Sequence, residues 1–234
     1  MKILARLAQW LLIACIPFLL LTAGIAWAVN SGWLYTAGFQ KYDVKQSLAE
    51  AGLNVTDSQL KEIATGFIRY FNSSEEYIHL TVQQDGKTVE LFNQDEILHF
   101  KDVKVLFRLD YYILFGTFGY GILYALFSLF WQQGKYRLRF ARSTLIGGGI
   151  TLGLMIIAGV GILLDFDQLF YDFHLLSFSN QYWSAEGNML LLFPGGFWYD
   201  IVVDMAIFIA VLALLMTAAS GVYLKWQRIR NNKK

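Results

Sequence analysis

Four long apolar runs dominate the pattern of polar and nonpolar positions along this chain. They cover residues 10–29, 111–131, 143–164 and 201–224. Each run is long enough to cross about 30 Å of hydrocarbon as a helix. Gly149 and Gly153 in the third run have the small-xxx-small spacing that is typical of close helix contacts. The pattern therefore predicts a membrane all-α bundle of four transmembrane helices.

The stretches between the runs divide the chain into five segments. In chain order we predict the N-terminus with the first span (1–29), a small α+β cap (30–110), the second and third spans with a basic loop (111–164), an aromatic interfacial loop (165–200), and the fourth span with a basic tail (201–234). About 80 residues are enough for a small layer but marginal for an independent domain. The cap is therefore expected to rest on the helical bundle.

Short local signals predict the elements of the cap. A short helix is expected at residues 43–51, closed by Gly52, and Thr56 with Gln59 forms the capping box of a second helix. The apolar positions of that second helix have helical spacing: Leu60, Ile63, Phe67 and Phe71. Two strands are expected at residues 77–82 and 88–92, joined by a turn at Asp85-Gly86.

A further helix begins at Asn93, because Glu96 three residues later completes a capping box. At about 100° per residue, one face of this helix carries Asp95, His99, Asp102 and Leu106. A basic stripe lies roughly opposite and is placed to meet anionic lipid head groups: Lys101, Lys104 and Arg108. The first face therefore holds an imidazole between two carboxylates, directly before the second apolar run.

The distribution of charge predicts the membrane topology. The stretches at the inner ends of the spans hold eleven bases and no acid: Lys2, Arg6, Lys135, Arg137, Arg139, Arg142, Lys225, Arg228, Arg230, Lys233 and Lys234. By the positive-inside rule both termini are cytoplasmic, and residues 30–110 and 165–200 face outward. With 56% hydrophobic residues, the composition fits a multi-pass membrane protein.

The outer segment 165–200 combines many aromatic residues with five acids and no Lys or Arg. Aromatic side chains favour the membrane–water boundary, so we expect this segment to be a loop lying on the outer bilayer surface. The acidic side chain Asp204, in the fourth run, lies only about one helical turn from the outer edge. It is a candidate functional group or a residue that reaches the interface.

Histidines and carboxylates are the available catalytic groups. The sequence has no Gly-x-Ser-x-Gly elbow, no metal-binding histidine motif and a single cysteine, Cys15. A neutral imidazole can accept and return a proton near neutral pH. His79 is expected to be structural, in a strand, whereas His99 and His174 each stand just above a membrane span. Local sequence alone leaves a solvated or interfacial role open for both.

Three ordered motifs carry a resemblance to a known family. They are Phe92-Asn-x-x-Glu-x-x-His99-Phe-x-Asp102-Val-Lys, then Phe173-His174-x-x-x-Phe-x-Asn180-x-x-Trp183, and then Phe193-Pro194-x-x-Phe197. Together with the order of spans, they resemble the bacterial lipoprotein intramolecular transacylase family and its four-span membrane relatives. The chain departs from that pattern at Phe100, where methionine is common, and at Gly195-Gly196, where an acidic step is usual.

The resemblance implies an acyltransferase acting on a lipoprotein whose N-terminal cysteine carries a diacylglyceryl group. An ester-linked acyl chain, expected to be the sn-2 chain, would move to the α-amine of the same cysteine. His99 and His174 match the functional histidines of the family, and we expect His99, oriented by Asp102 or Asp95, to take the amine proton. His174 would then polarise the carbonyl or protonate the leaving oxygen, and the two roles can be exchanged.

Two weaker candidates would bind the substrate, with Asn180 contacting the oxyanion and Trp183 placing an acyl chain. No metal, cofactor or nucleic acid is implied, and the expected partners are the lipoprotein and the phospholipid bilayer. The site would face the outside of the cell. The alternative is a non-enzymatic membrane module that binds an envelope lipid or peptide. A transporter is less favoured, because only Asp204 is charged within a span.

Overall fold

The computed structural model describes residues 2–131 and 136–232. Lys135, Lys233 and Lys234, three of the bases counted above, lie outside these described residues. In chain order the elements are α1 (Lys2–Asn30), α2 (Gly32–Lys41), α3 (Val44–Glu50), α4 (Asp57–Asn72), β1 (Thr81–Gln84), β2 (Lys87–Glu90), α5 (Gln94–Phe130), α6 (Arg137–Ser177), a 3₁₀ turn (Tyr182–Ser184), α7 (Asn188–Leu192) and α8 (Gly195–Asn232). Helices α1, α5, α6 and α8 are long and apolar enough to cross a membrane, which confirms the four spans.

The helix boundaries predicted for the α+β cap are confirmed by the capping residues at the helix termini. Helix α3 starts after Asp43, whose φ of 47° is left-handed, and Gly52, with a φ of 87°, follows its end. At the start of α4, Thr56 and Gln59 form the predicted reciprocal capping box. Helix α2 was not predicted, because the stretch before it continues the first apolar run without a capping signal.

The predicted hairpin is confirmed, with shorter strands. Strand β1 pairs antiparallel with β2, and Thr81 lies opposite Glu90. Asp85 and Gly86 both have positive φ, 51° and 74°, as a two-residue type I′ turn requires. Strand β1 begins only at Thr81, so residues 77–80, which were predicted to be strand, lie outside it.

The prediction of a loop over residues 165–200 was wrong for much of that segment. Helix α6 continues to Ser177, with one non-helical residue, Asp165, at φ −162° and ψ 90°. The side chain of Asp165 accepts a hydrogen bond of 3.0 Å from the backbone N–H of Gln168. Asp165 thus caps a new helical stretch that follows the third apolar run directly. The rest holds the 3₁₀ turn, the short helix α7 and the first turns of α8.

The chain forms two compact units. The helical unit comprises Met1–Ile25, Asp110–Gly161 and Met205–Lys234, and its core contains Leu12, Ile16, Leu20, Ile209 and Ala213. Many large apolar side chains on its described surface are exposed, as expected for helices that face lipid. Close helix contacts occur at Gly147, against Ile16, and at Gly148, against Thr217. The predicted contact at Gly149 and Gly153 was wrong, because a Cβ there would meet no described atom within 4 Å.

The mixed unit comprises Ala26–Leu109 and Ile162–Asp204. Its core is an aromatic cluster around the fully buried Phe67, whose ring lies 4.9 Å from Phe193 and 5.1 Å from Phe100. Such ring pairs add to the free energy gained by burying apolar area. The cluster joins α4, the start of α5 and the segment before α8, so it holds the start of α5 in place.

Two members of the basic stripe of α5 contact protein, and the predicted contact with lipid head groups was wrong for the buried Lys104. Lys104 is only 2% exposed and donates to the Glu75 carbonyl oxygen, at 2.6 Å, and to Ser73 Oγ, at 3.1 Å. Its Nζ also lies 4.0 Å from the ring centroid of Tyr70. Lys101 forms an exposed ion pair of 2.6 Å with Glu76. These contacts hold α5 against the chain that follows α4.

Candidate functional site

The fold brings His99 and His174 together inside the mixed unit. His99 comes from the second turn of α5 and His174 from the last turn of α6, and their ring centroids lie 6.0 Å apart. They are 7% and 8% exposed. Phe178 packs against both rings, with centroids 5.1 Å from His99 and 5.6 Å from His174. The two imidazoles therefore share a buried, largely aromatic environment.

His99 has an unusual polar environment for a buried side chain. Its Nδ1 atom is buried and accepts or donates no hydrogen bond within the described residues. Burial, and after it the neighbouring His174, lower the pKa of His99 from 6.5 to about 4, while the charge of Asp102 opposes this shift. His99 precedes the apolar part of α5, outside the membrane-spanning segment. It is a neutral imidazole at physiological pH.

The orientation of His174 is fixed by the backbone. Its Nδ1–H donates a 2.6 Å hydrogen bond to the Phe170 carbonyl oxygen one helical turn earlier. Because a carbonyl oxygen only accepts, this bond selects the tautomer in which Nε2 keeps its lone pair. Burial lowers the pKa of His174, and the bond to Phe170 opposes the shift. The ring also packs against Phe170 and Trp183, with centroids at 4.5 and 5.2 Å.

Asp102 and Asn180 bind each other. Asn180 Nδ2 donates a 2.7 Å hydrogen bond to Asp102 Oδ2, and Asn180 Oδ1 accepts from the backbone N–H of Tyr182. Both polar atoms of the Asn180 amide are therefore engaged. Asp102 acts on His99 through its charge, since the described hydrogen bond of its carboxylate goes to Asn180.

The buried carboxylate one helical turn before His99 is Glu96, whereas Asp95 is exposed. Glu96 completes the predicted capping box: its Oε2 accepts from the Asn93 backbone N–H, and Asn93 Oδ1 accepts from the Glu96 N–H. Its other oxygen, Oε1, accepts a 2.6 Å hydrogen bond from the backbone N–H of Met189. Sequence analysis found Glu96 as a cap and missed this second contact, which no local pattern encodes.

The geometry suits proton transfer more than metal or ionic chemistry. Two neutral imidazoles lie side by side, one with a fixed tautomer, in surroundings that disfavour charge. Within residues 2–131 and 136–232, no cluster of three or more His, Cys, Asp or Glu side chains is close enough to hold a metal ion. The third histidine, His79, lies before β1 and is exposed, unlike the two buried histidines of this pair.

Comparisons with known proteins identify the family and the fold. The family model described as "Lipoprotein intramolecular transacylase Lit" matches residues 10–198. The fold matches the solved structure of the membrane integral lipoprotein intramolecular transacylase Lit from Bacillus cereus, with a TM-score of 0.79 at 20% identity, covering 98% of this chain and 100% of that one. Comparison with curated protein sequences finds no match.

Two variants of the Bacillus cereus protein, in which one histidine is replaced by arginine or by alanine, have the same fold. Both match with a TM-score of 0.76 at 19% identity, and they cover 98% and 97% of this chain and 96% and 97% of their own chains. At this identity the structural likeness establishes the fold, and the family model establishes the relationship. This multi-pass, membrane-integral acyltransferase therefore belongs to the lipoprotein intramolecular transacylase family.

Proposed function

We propose that the protein moves the sn-2 acyl chain of an S-diacylglyceryl cysteine to the α-amine of the same cysteine, with His99 and His174 as the catalytic residues. The observation that carries the proposal is the buried pair of imidazoles, 6.0 Å apart, on two different helices. Histidine acid–base chemistry needs proton acceptors and donors that converge on one reacting centre. These are the two histidines that match the motifs of the family.

His174 is the better placed base. Its Nδ1–H is held by the Phe170 carbonyl oxygen, so Nε2 presents a lone pair in a fixed direction. That same bond favours the protonated ring and offsets part of the effect of burial. His99 has no such bond, and its pKa of about 4 makes it a poor proton acceptor. Of the two exchangeable assignments, the geometry thus supports His174 as the group that takes the amine proton.

His99 is then the group that polarises the ester carbonyl. A neutral imidazole N–H, kept neutral by burial, can donate to an oxygen that becomes negative in the transition state. Asn180 is less suited to this role, because its amide is already bound to Asp102 and to the Tyr182 backbone. Asn180 and Asp102 are therefore proposed to hold the loop that carries Trp183, whose ring supports His174.

The proposed reaction balances without a covalent enzyme intermediate. A bond forms between the amine nitrogen and the acyl carbon, and the bond between that carbon and the glycerol oxygen breaks. His174 receives the proton lost by the amine and returns it to the glycerol oxygen, so the imidazole ends the cycle neutral. Amine and ester belong to one molecule, and orienting them can supply about 7–11 kcal/mol of the barrier.

Two separate arguments support the sn-2 position of the ester and the side of the membrane on which the reaction takes place. The sn-2 oxygen is one carbon closer to the thioether than the terminal oxygen, so the amine reaches its carbonyl through a smaller ring. Lipoproteins present their modified N-terminus at the outer surface. The eleven bases of the predicted inner stretches support cytoplasmic termini, which would place His99 and His174 on the extracytoplasmic side.

The test is mass spectrometry of N-terminal lipopeptides from a host that makes only diacylglyceryl lipoproteins. Expression of this protein should give a product of unchanged total mass in which one acyl chain has moved from ester to amide. We expect His99→Ala and His174→Ala to abolish that product. His79→Ala should retain it, because His79 is an exposed histidine outside the pair.

Unchanged lipopeptides in the presence of well-expressed, folded protein would refute the acyl transfer. The binding-module alternative would then be favoured, since it requires no chemical change in the lipid. A product that persists in both histidine variants would instead refute their catalytic roles and leave the transfer itself standing.

A further inference from the structure

Glu96 links the start of helix α5 to a segment about 90 residues later in the chain. Its carboxylate is 1% exposed, and it accepts two backbone N–H groups, from Asn93 at 2.8 Å and from Met189 at 2.6 Å. The capping box alone requires only the first of these bonds. The second bond joins α5 to the start of α7, so this side chain does more than cap the N-terminus of α5.

Neighbouring contacts make the same connection. Asn93 Nδ2 donates to the Glu186 carbonyl oxygen at 2.9 Å, and Asn188 Nδ2 donates to the Leu91 carbonyl oxygen at 2.7 Å. Gly187 lies directly over Glu96, because a Cβ at that position would fall 2.6 Å from the carboxylate carbon. Residues 91–96 and 186–189 thus form an interlocked contact, which we call the Glu96 clamp.

The Glu96 clamp anchors the segment that follows His174 at one point, and a second hydrogen-bonded anchor lies nearer His174. This second anchor is the hydrogen bond from Asn180 to Asp102. Glu96, His99 and Asp102 follow each other at intervals of three residues, so they share one side of α5. His99 therefore lies between the two carboxylates that hold the segment carrying Trp183, and the Trp183 ring packs on His174.

We propose that Glu96 is a positioning residue, which sets the arrangement of His99 and His174 through this clamp. The effect of Glu96 on catalysis rests on the proposed function, whereas its effect on the positions of the two imidazole rings can be tested without it. The negative charge is required, because a carboxylate accepts at both oxygens whereas a glutamine would turn its NH₂ group toward one of the two N–H donors. Glu96→Gln therefore releases one side of the clamp at nearly constant volume.

The first measurement needs no substrate. Diethyl pyrocarbonate modifies accessible imidazoles, and mass spectrometry reports each of the three histidines separately. In the wild type we expect the exposed His79 to react much faster than His99 and His174, and to act as an internal reference. Glu96→Gln should raise the reaction of both buried histidines relative to His79 by several-fold. The exposed Glu62→Gln serves as the charge-matched control and should change neither ratio.

The second measurement is the rate of ester-to-amide acyl transfer by the same purified variants. We expect Glu96→Gln to lower kcat by roughly 10- to 100-fold with a smaller change in KM, because misplacing catalytic groups by about 1 Å costs rate on this scale. Gly187→Ala approaches the clamp from the other side and retains the charge, so it should shift both measurements in the same direction even where Glu96→Gln folds poorly.

The outcomes separate the two claims. Modification ratios that match the wild type in both variants overturn the proposal, whatever the transfer rates are. Raised ratios with unchanged transfer overturn the catalytic importance of the clamp. If the wild type itself transfers no acyl chain, the proposed function fails, and the modification ratios still decide whether Glu96 positions the histidines.

Discussion

Lowering the pH from 7.5 to 5.5 tests whether His99 works as a neutral group. Burial and the neighbouring His174 lower the pKa of His99 from 6.5 to about 4, and Asp102 opposes them only in part. Burial lowers the pKa of His174 as well. A group whose active form is neutral stays active above its pKa and loses activity as the pH falls through it. His99 should therefore remain neutral throughout this interval.

The substrate amine sets the size of the expected effect. A free α-amine has a pKa of about 7.7–8.0, so its unprotonated fraction falls about 70-fold between pH 7.5 and 5.5. Since kcat/KM reports the free enzyme and the free substrate, it should fall by that factor alone where both histidines stay neutral over the interval. An ordinary histidine with a pKa of about 6.5 would add a further factor of about 10. The two cases thus predict losses of about 70-fold and about 700-fold.

The assay uses the purified protein with a synthetic diacylglyceryl lipopeptide, and mass spectrometry measures the amide product at low substrate concentration. A plot of log kcat/KM against pH should keep a slope near one between pH 7 and 5. A second break near pH 6.5, beyond that of the amine, would refute the lowered pKa of the histidine pair. Protein held at pH 5.5 and returned to 7.5 must recover its rate, which separates titration from unfolding.

Two other predictions concern single side chains. Trp183→Leu removes a ring 5.2 Å from His174 and should lower kcat about two- to thirteenfold, as expected from the 0.5–1.5 kcal/mol of an aromatic pair; an unchanged kcat would remove Trp183 from the site. Lys104→Met leaves the Glu75 carbonyl without its donor and should cost about 1–3 kcal/mol, a fall of several degrees in Tm in detergent. Lys101→Met removes an exposed ion pair with Glu76 and peripheral contacts with Tyr77, and should change Tm little, so equal shifts would contradict the buried role of Lys104.

Features that depend on neighbouring residues could be predicted from the sequence. The capping boxes at Thr56 and Asn93 and the turn at Asp85-Gly86 each involve residues within three positions, and all are present. The four spans follow from length and apolarity alone. In each case the physical cause is local, because a backbone group or an apolar run is satisfied by residues that are close in sequence.

Contacts between distant residues could not be predicted in this way. Asp102 was expected to orient His99, whereas its hydrogen bond goes to Asn180, 78 residues later. Lys104 was assigned to lipid because its helical position alone does not reveal the carbonyl of Glu75 beside it. The helical continuation of α6 to Ser177 was hidden by aromatic residues, which suit an interfacial loop and a helix face equally well.

The start of helix α5 shows why the local and distant features are linked. Asn93 and Glu96 cap the helix with one set of atoms and bind residues 186–189 with the others, so a single four-residue signal serves both purposes. His99 follows one turn later on the same helix, and we propose that the cap fixes its position. In the proposed reaction no side chain bonds covalently to the acyl group, so orientation, proton transfer and polarisation of the carbonyl are the means by which the fold would lower the barrier. Under that proposal, rigid placement of the two imidazoles is the main contribution of the fold, and the contacts of Glu96 at the start of α5 are proposed to secure it.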